Sequence, residues 1–159
     1  MKLGIIIIFH NNEALINKQL FIEKINQSKS IELCLVDNNS TDKTLQLLTS
    51  IKEECSSNIS VVEIKKHTSK DVAKRAGARF MFNQFNLKHI GFINADSTYQ
   101  DEKHLSELIK QVYSNKDIII DYNAKTISTY NIKPTLFKCI FSVVDYITKL
   151  KIIPAVHLD

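Results

Sequence analysis

The most constraining feature of this chain is its opening, an unbroken apolar run from Leu3 to Phe9 in which Ile5 to Ile8 are all isoleucine. β-Branched side chains favour extended backbone, and a strand without a polar face must be covered on both sides. Three further strand candidates follow, Ile31 to Val36, Ile59 to Ile64 and His89 to Ile93. The segments between them change period. Leu15, Ile16, Leu20, Phe21 and Ile25 recur at helical spacing within Glu13 to Ile25, where Asn11 or Asn12 can cap. Ser40 and Thr41 are expected to cap a second such segment through Leu45, Leu47, Leu48 and Ile51. Ser69 precedes a third, with Val72, Ala73, Ala76 and Phe80 on one face. Leu105, Leu108, Ile109 and Val112 fit i, i+3, i+4, i+7. Asp117 to Ile120 reads as the start of a fifth strand. The alternation predicts an α/β fold, a mostly parallel sheet with helices on both faces.

After Asp121 the pattern weakens, so the chain divides into a domain over 1–121 and a C-terminal segment over 122–159. Ala124 to Tyr130 is a further strand candidate. Pro134 opens a helix candidate at about 135–150, since proline is tolerated in a first helical turn. Its apolar face carries Leu136, Phe137, Ile140, Phe141, Val144, Ile147 and Leu150, with Lys138, Lys149 and Lys151 among the polar positions. Such a face packs on its own domain, pairs with a second copy or lies on a membrane surface, and the first two together are favoured over the membrane.

With 159 residues, 44% hydrophobic and 24% charged, the chain can bury a core without staples. A net charge of +4 suits an anionic ligand, and no like-charge block suggests nucleic-acid binding. Cys34, Cys55 and Cys139 are far apart and form no zinc pattern, which predicts free thiols in a reducing compartment. No signal-peptide pattern opens the sequence, and a cytoplasmic location is expected.

In open α/β sheets, ligands bind beyond the carboxyl ends of the strands. The segments there are His10 to Asn12, Asp37 to Asp42, Lys65 to Lys70 and Asn94 to Ser97, all polar. With only Gly4, Gly77 and Gly91 as glycines, the chain has no GxGxxG, no P-loop and no GxSxG elbow. An acidic receiver-type cluster is absent after the first strand. What remains is a site with an aspartate after the second strand and a metal-binding acid after the fourth. Taken alone, Asp37 and Asp96 could each serve only a turn or a cap, and Lys65, Lys66 and Lys70 only solvation. Gly77 inside a helix costs about 1 kcal/mol against alanine, and close helix–sheet packing is its expected reason.

Ile5 to Glu13 resembles the opening strand and loop of family-2 glycosyltransferases, an apolar run followed by P-x-Y-N-E. Leu35 to Thr44 is similar to their V-D-[DN]-[GN]-S-x-D-x-T segment, the most specific of the matches. Lys70 to Arg79 resembles their A-x-A-x-N-x-G helix, and Gly91 to Ser97 the strand leading to their D-x-D motif. The resemblance implies the GT-A fold, specifically its donor-binding half, and transfer of a sugar from a nucleotide-diphosphate sugar, with a UDP-sugar expected, to a glycan or lipid-linked acceptor. Membrane association in such relatives would be compatible with a cytoplasmic chain making peripheral contact with the inner membrane face through 135–150. The resemblance also assigns roles. Asp37 would accept from the base, and the main chain at Phe9 and His10 would line the base and ribose pocket. Asn12, Asn39, Lys70, Arg75 and Asn94 would complete the nucleotide site, with Lys74 a further cation candidate. Asp96 would hold Mg²⁺ or Mn²⁺. The chain departs from the pattern in three ways. Asn94 replaces the first aspartate of D-x-D, no catalytic base is recognisable after Asp121, and the chain is short. A nucleotide-sugar-binding module without turnover is therefore the alternative reading.

Overall fold

A computed structural model describes residues 2–27, 29–55, 58–95, 102–130 and 139–151. The chain runs β1 (Leu3–Phe9), a 3₁₀ turn (Glu13–Leu15), α1 (Lys18–Asn26), β2 (Ile31–Asn38), α2 (Thr44–Glu54), β3 (Ile59–Ile64), α3 (Lys70–Gln84) and β4 (His89–Asn94). It continues with α4 (Glu102–Ser114), α5 (Lys116–Thr129), β5 (Ile140–Ser142) and α6 (Val143–Lys149). The strands form one sheet in the order β3-β2-β1-β4-β5, and every pairing is parallel. The chain winds outward from β1 through β2 to β3, then crosses to the other side of β1 for β4. The switch point between β1 and β4 opens the crevice where such sheets take ligands.

All of β1 and β2 is buried, as an unbroken apolar run requires. Leu3, Ile5, Ile7 and Phe9 of β1 face one core with Phe21 of α1, Leu48 and Ile51 of α2, and Leu105, Leu108, Ile109 and Val112 of α4. Ile6 and Ile8 face the other, against Ala73, Ala78 and Met81 of α3. A Cβ on Gly77 would lie 2.9 Å from Ile6 Cγ2 and 3.0 Å from Val36 Cγ2, so glycine lets α3 seat closely on the sheet.

Five local expectations are corrected. The stretch Asp117 to Ile120 is not a strand but the first turn of α5. Ile119 and Ile120 are buried with Asn123 while Ile118 is 52% exposed, a helical stripe. A run of three isoleucines has no period of its own, so packing against the first core decided. Of Ala124 to Tyr130, the stretch to Thr129 continues that helix rather than forming a strand, and Tyr130 is its C-cap. The expected helix over 135–150 begins only at Val143, where Ser142 Oγ accepts from the Asp145 N–H at 3.3 Å. Before it, Ile140–Ser142 adds an edge strand on β4, and residues 131–138 lie outside the described residues. At the N-terminal side, α1 starts at Lys18 with Asn17 as its cap, after the 3₁₀ turn, and α2 starts at Thr44 rather than beside Ser40 and Thr41.

The helix α5 runs through residue 121, and Phe141, Val143, Tyr146 and Ile147 join the first core. Asn123 ties this region together. Its Nδ2 lies 2.7 Å from His89 Nδ1, and its Oδ1 accepts from the Tyr146 hydroxyl at 2.7 Å. No helix among the described residues is long and apolar enough to cross a membrane.

Candidate functional site

The carboxyl ends of β1, β2 and β3 are joined by side chains bonded to main chain. Asn11, at φ 53°, turns its Oδ1 to the N–H of Thr41 at 2.7 Å and of Asp42 at 3.4 Å. Its own N–H donates to Ser40 Oγ at 3.0 Å. Asn12 is buried, and its Oδ1 accepts from the His10 N–H at 2.7 Å while its N–H donates to Thr44 Oγ1 at 2.9 Å. Asp42 accepts from the N–H of Thr44 at 2.9 Å and of Glu13 at 3.3 Å. Burial alone would push the Asp42 carboxyl up, but hydrogen bonds from Thr44 and Glu13 outweigh it and hold it below the usual range. On the other side Asn38 clamps Thr68, donating to its carbonyl at 2.8 Å and accepting from its N–H at 3.0 Å. The loops after β1 and β2, and those after β2 and β3, are thus cross-braced.

His10 lies inside this brace. Its Nδ1 is 2.7 Å from the Asn38 carbonyl oxygen, which can only accept, so Nδ1 carries the proton. The His67 ring packs on it with centroids 4.4 Å apart and planes tilted by 49°. The Phe9 side chain points into the core beside Phe21, so only its main chain is available to the crevice.

Asp37 is the buried acid of the site, 1% exposed, and lies opposite Phe9 in the sheet register. Its Oδ2 accepts from the Ser40 N–H at 3.3 Å, so the turn role open to it from sequence is present. Its Oδ1 is buried with no hydrogen-bond donor among the described residues. Asn39 follows at φ 54°, half-buried. Across the switch point, Asn94 ends β4, with Ile8 of β1 as its register partner.

The structure therefore gathers Phe9, His10, Asn12, Asp37, Asn39 and Asn94 at one edge of the sheet. Lys70 begins α3 at the same edge, behind the Ser69 cap, whose Oγ accepts from Val72 N–H at 3.2 Å. Arg75 lies a turn further along and pairs with Asp71 at 3.1 Å, and Lys74 pairs with Asp71 at 3.3 Å and sits 4.6 Å from the Phe92 ring centroid. These two cations engage their own helix and β4. Asp96 lies outside the described residues. The sequence offered Asn11 only as a helix cap and gave no particular role to Asn38, Asp42, Thr44 or Thr68, yet these five do the bracing. Polar loop residues carry no signal of which main-chain group they will meet.

A model of the glycosyl transferase family 2 matches residues 4–126. The chain belongs to this family. The family-2 match spans β1 through most of α5, the whole of the braced edge included. No curated protein matches the chain. Among solved structures it is similar to TarS residues 1–349 of S. aureus, at 17% identity and a TM-score of 0.47, over 73% of this chain and 33% of that one. TarS was also solved with UDP-GlcNAc, where the identity is 18% and the TM-score 0.45, over 73% and 32%. A mannosyltransferase of Pyrobaculum calidifontis, PcManGT, solved with GDP-Man and Mn²⁺, overlaps at 21% identity and a TM-score of 0.44, over 70% and 32%. The chain spans about a third of the length of these proteins.

Proposed function

We propose that this chain binds the nucleotide of a nucleotide-diphosphate sugar, a UDP-sugar, in the crevice at the ends of β1, β2 and β4, as the donor site of a glycosyltransferase acting on a glycan or lipid-linked acceptor. The observation that carries this reading is Asp37. One carboxylate oxygen holds the turn, and the other is buried without a donor among the described residues. Leaving such an atom unmet is costly, and a uracil N–H is a donor of the right kind to meet it. Brace bonds to Asn11, Asn12 and Asn38 fix the main chain around His10, so the pocket would be preorganised and little ordering would be lost on binding.

The donor set suits a hard divalent ion. Asp96 would supply a carboxylate, Asn94 a neutral amide oxygen, and the diphosphate the remaining oxygens, which is how Mg²⁺ and Mn²⁺ are commonly held. Among the described residues no three acidic, histidine or cysteine side chains gather as a cage. Such an ion would offset charge on the departing diphosphate. Asn94 brings no charge, so the metal contribution to affinity should be smaller than with two aspartates.

Calorimetric titration with UDP, with and without Mn²⁺, tests the reading. Binding strengthened by Mn²⁺ is expected. Asp37→Ala should weaken it by about tenfold to a hundredfold, the worth of a hydrogen bond to a charged group. Asp96→Ala should remove only the Mn²⁺ increment. No UDP binding in either condition sinks the proposal. Binding without donor hydrolysis or transfer across a panel of acceptors converts it to the non-catalytic module.

A further inference from the structure

At the opposite edge of the sheet, a cavity of about 460 Å³ opens between the end of α3, the start of β4, α5 and the residue before β5. It is separated from the donor crevice by the length of β4, roughly 16 Å at about 3.3 Å per residue. Phe82, Leu87, Ala124 and Ile127 make its walls apolar. Its size falls in the range that holds a small organic ligand.

Two polar groups line the same cavity. Lys88 forms no ion pair among the described residues. His89 is 6% exposed and is held at Nδ1 by Asn123, whose amide nitrogen faces it. Because that nitrogen donates, Nδ1 accepts and the ring proton sits on Nε2. Nε2 has no hydrogen-bond partner among the described residues. Burial, with the Lys88 charge adding to it, lowers the His89 pKa and keeps the ring neutral at physiological pH, so it is a donor without charge. Lys88 and His89 bring an ammonium and a ring N–H to the wall of an apolar cavity, donors of the kind a carboxylate accepts.

We propose that this cavity binds a free single-chain amphiphile with a carboxylate head, of the medium-chain fatty acid class, with the head at Lys88 and His89 and the chain along Phe82, Leu87, Ala124 and Ile127. The site is independent of the donor crevice and does not rest on the glycosyltransferase reading.

Cys139 lines the cavity and is half-buried, whereas Cys34 and Cys55 are buried, so it is the thiol expected to react first with an alkylating reagent. The test measures the rate of Cys139 alkylation by peptide mapping, with decanoate as the probe and 1-decanol as its uncharged counterpart. Decanoate at ten times its dissociation constant should slow the reaction about tenfold by mass action. Lys88→Ala, a change at an exposed residue, should raise the decanoate concentration needed by about tenfold and leave any effect of 1-decanol unchanged. Ile127→Trp should fill the cavity and abolish protection. Absence of protection by decanoate in the unaltered protein overturns the proposal whatever the variants do. Equal protection by both compounds, or an unchanged decanoate response in Lys88→Ala, overturns the carboxylate assignment. Protection by anionic phospholipid vesicles without protection by decanoate overturns the free amphiphile in favour of a membrane surface.

Discussion

The two ends of the sheet are built by different means. At the carboxyl ends of the strands, short polar side chains bond main-chain groups about thirty residues away, as Asn11 does with Thr41 and Asn38 with Thr68. At the amino ends of β4 and β5, apolar volume does most of the work and one buried network, His89–Asn123–Tyr146, fixes the helices. Hydrogen bonds set the path of a loop, so the first end offers a shaped main chain and one unmet acid. Side-chain volume sets spacing between elements, so the second end offers an apolar space with a few polar groups at its wall.

That contrast can be broken by substitution. The largest effect is expected at the braced end. Asn38→Ala leaves the Thr68 N–H and carbonyl without partners and should cost about 2–4 kcal/mol in urea unfolding, with loss of nucleotide affinity as the His10 acceptor shifts. Unchanged stability would show that the loops are held by something else. At the other end, Tyr146→Phe leaves Asn123 Oδ1 unmet in a buried place and should cost about 1–3 kcal/mol. UDP affinity should be unaffected, and a loss there would mean that the two ends are coupled. Ser69→Ala removes the α3 cap and should cost about 1 kcal/mol. The smallest effect is a pH dependence of the amino end. Burial, then the Lys88 charge, lowers the His89 pKa from 6.5. Above pH 6.5 its contribution to stability is fully present. As pH falls below that value the unfolded chain takes the proton first, and stability declines until the folded value is passed. Urea midpoints measured from neutral pH down to about pH 5 should fall in the native protein and fall less in His89→Gln.

The same division governs what could be read in advance. The first strand was legible because both its faces are covered, and an unbroken β-branched run such as Ile5 to Ile8 has few other uses. The α4 stripe of Leu105, Leu108, Ile109 and Val112 was legible because its period is unambiguous, and all four side chains are buried. Ile118 to Ile120 was misread, since three like residues in a row suit a buried strand or a helix equally. Ile140–Ser142 was absorbed into a helix pattern because Ile140, Phe141 and Val144 keep an apolar stripe across the Ser142 cap. In the site, Asp37 stood out through its D-N-N-S-T-D context. That Arg75 pairs with Asp71 on its own helix was also within reach, as an i, i+4 spacing.

Sequence alone determined the element types through Asn94, the all-round burial of β1, and the family segments that place Asp37 at a strand end. Local spacing and side-chain shape suffice for these. Only the tertiary structure decided the strand order, the turning of Asp117 to Thr129 into helix, the docking of β5 on β4, and the state of Asp37 with one oxygen held and one unmet among the described residues. Each depends on which distant group arrives beside a residue, and that is fixed by the packing of the two cores rather than by any pattern along the chain.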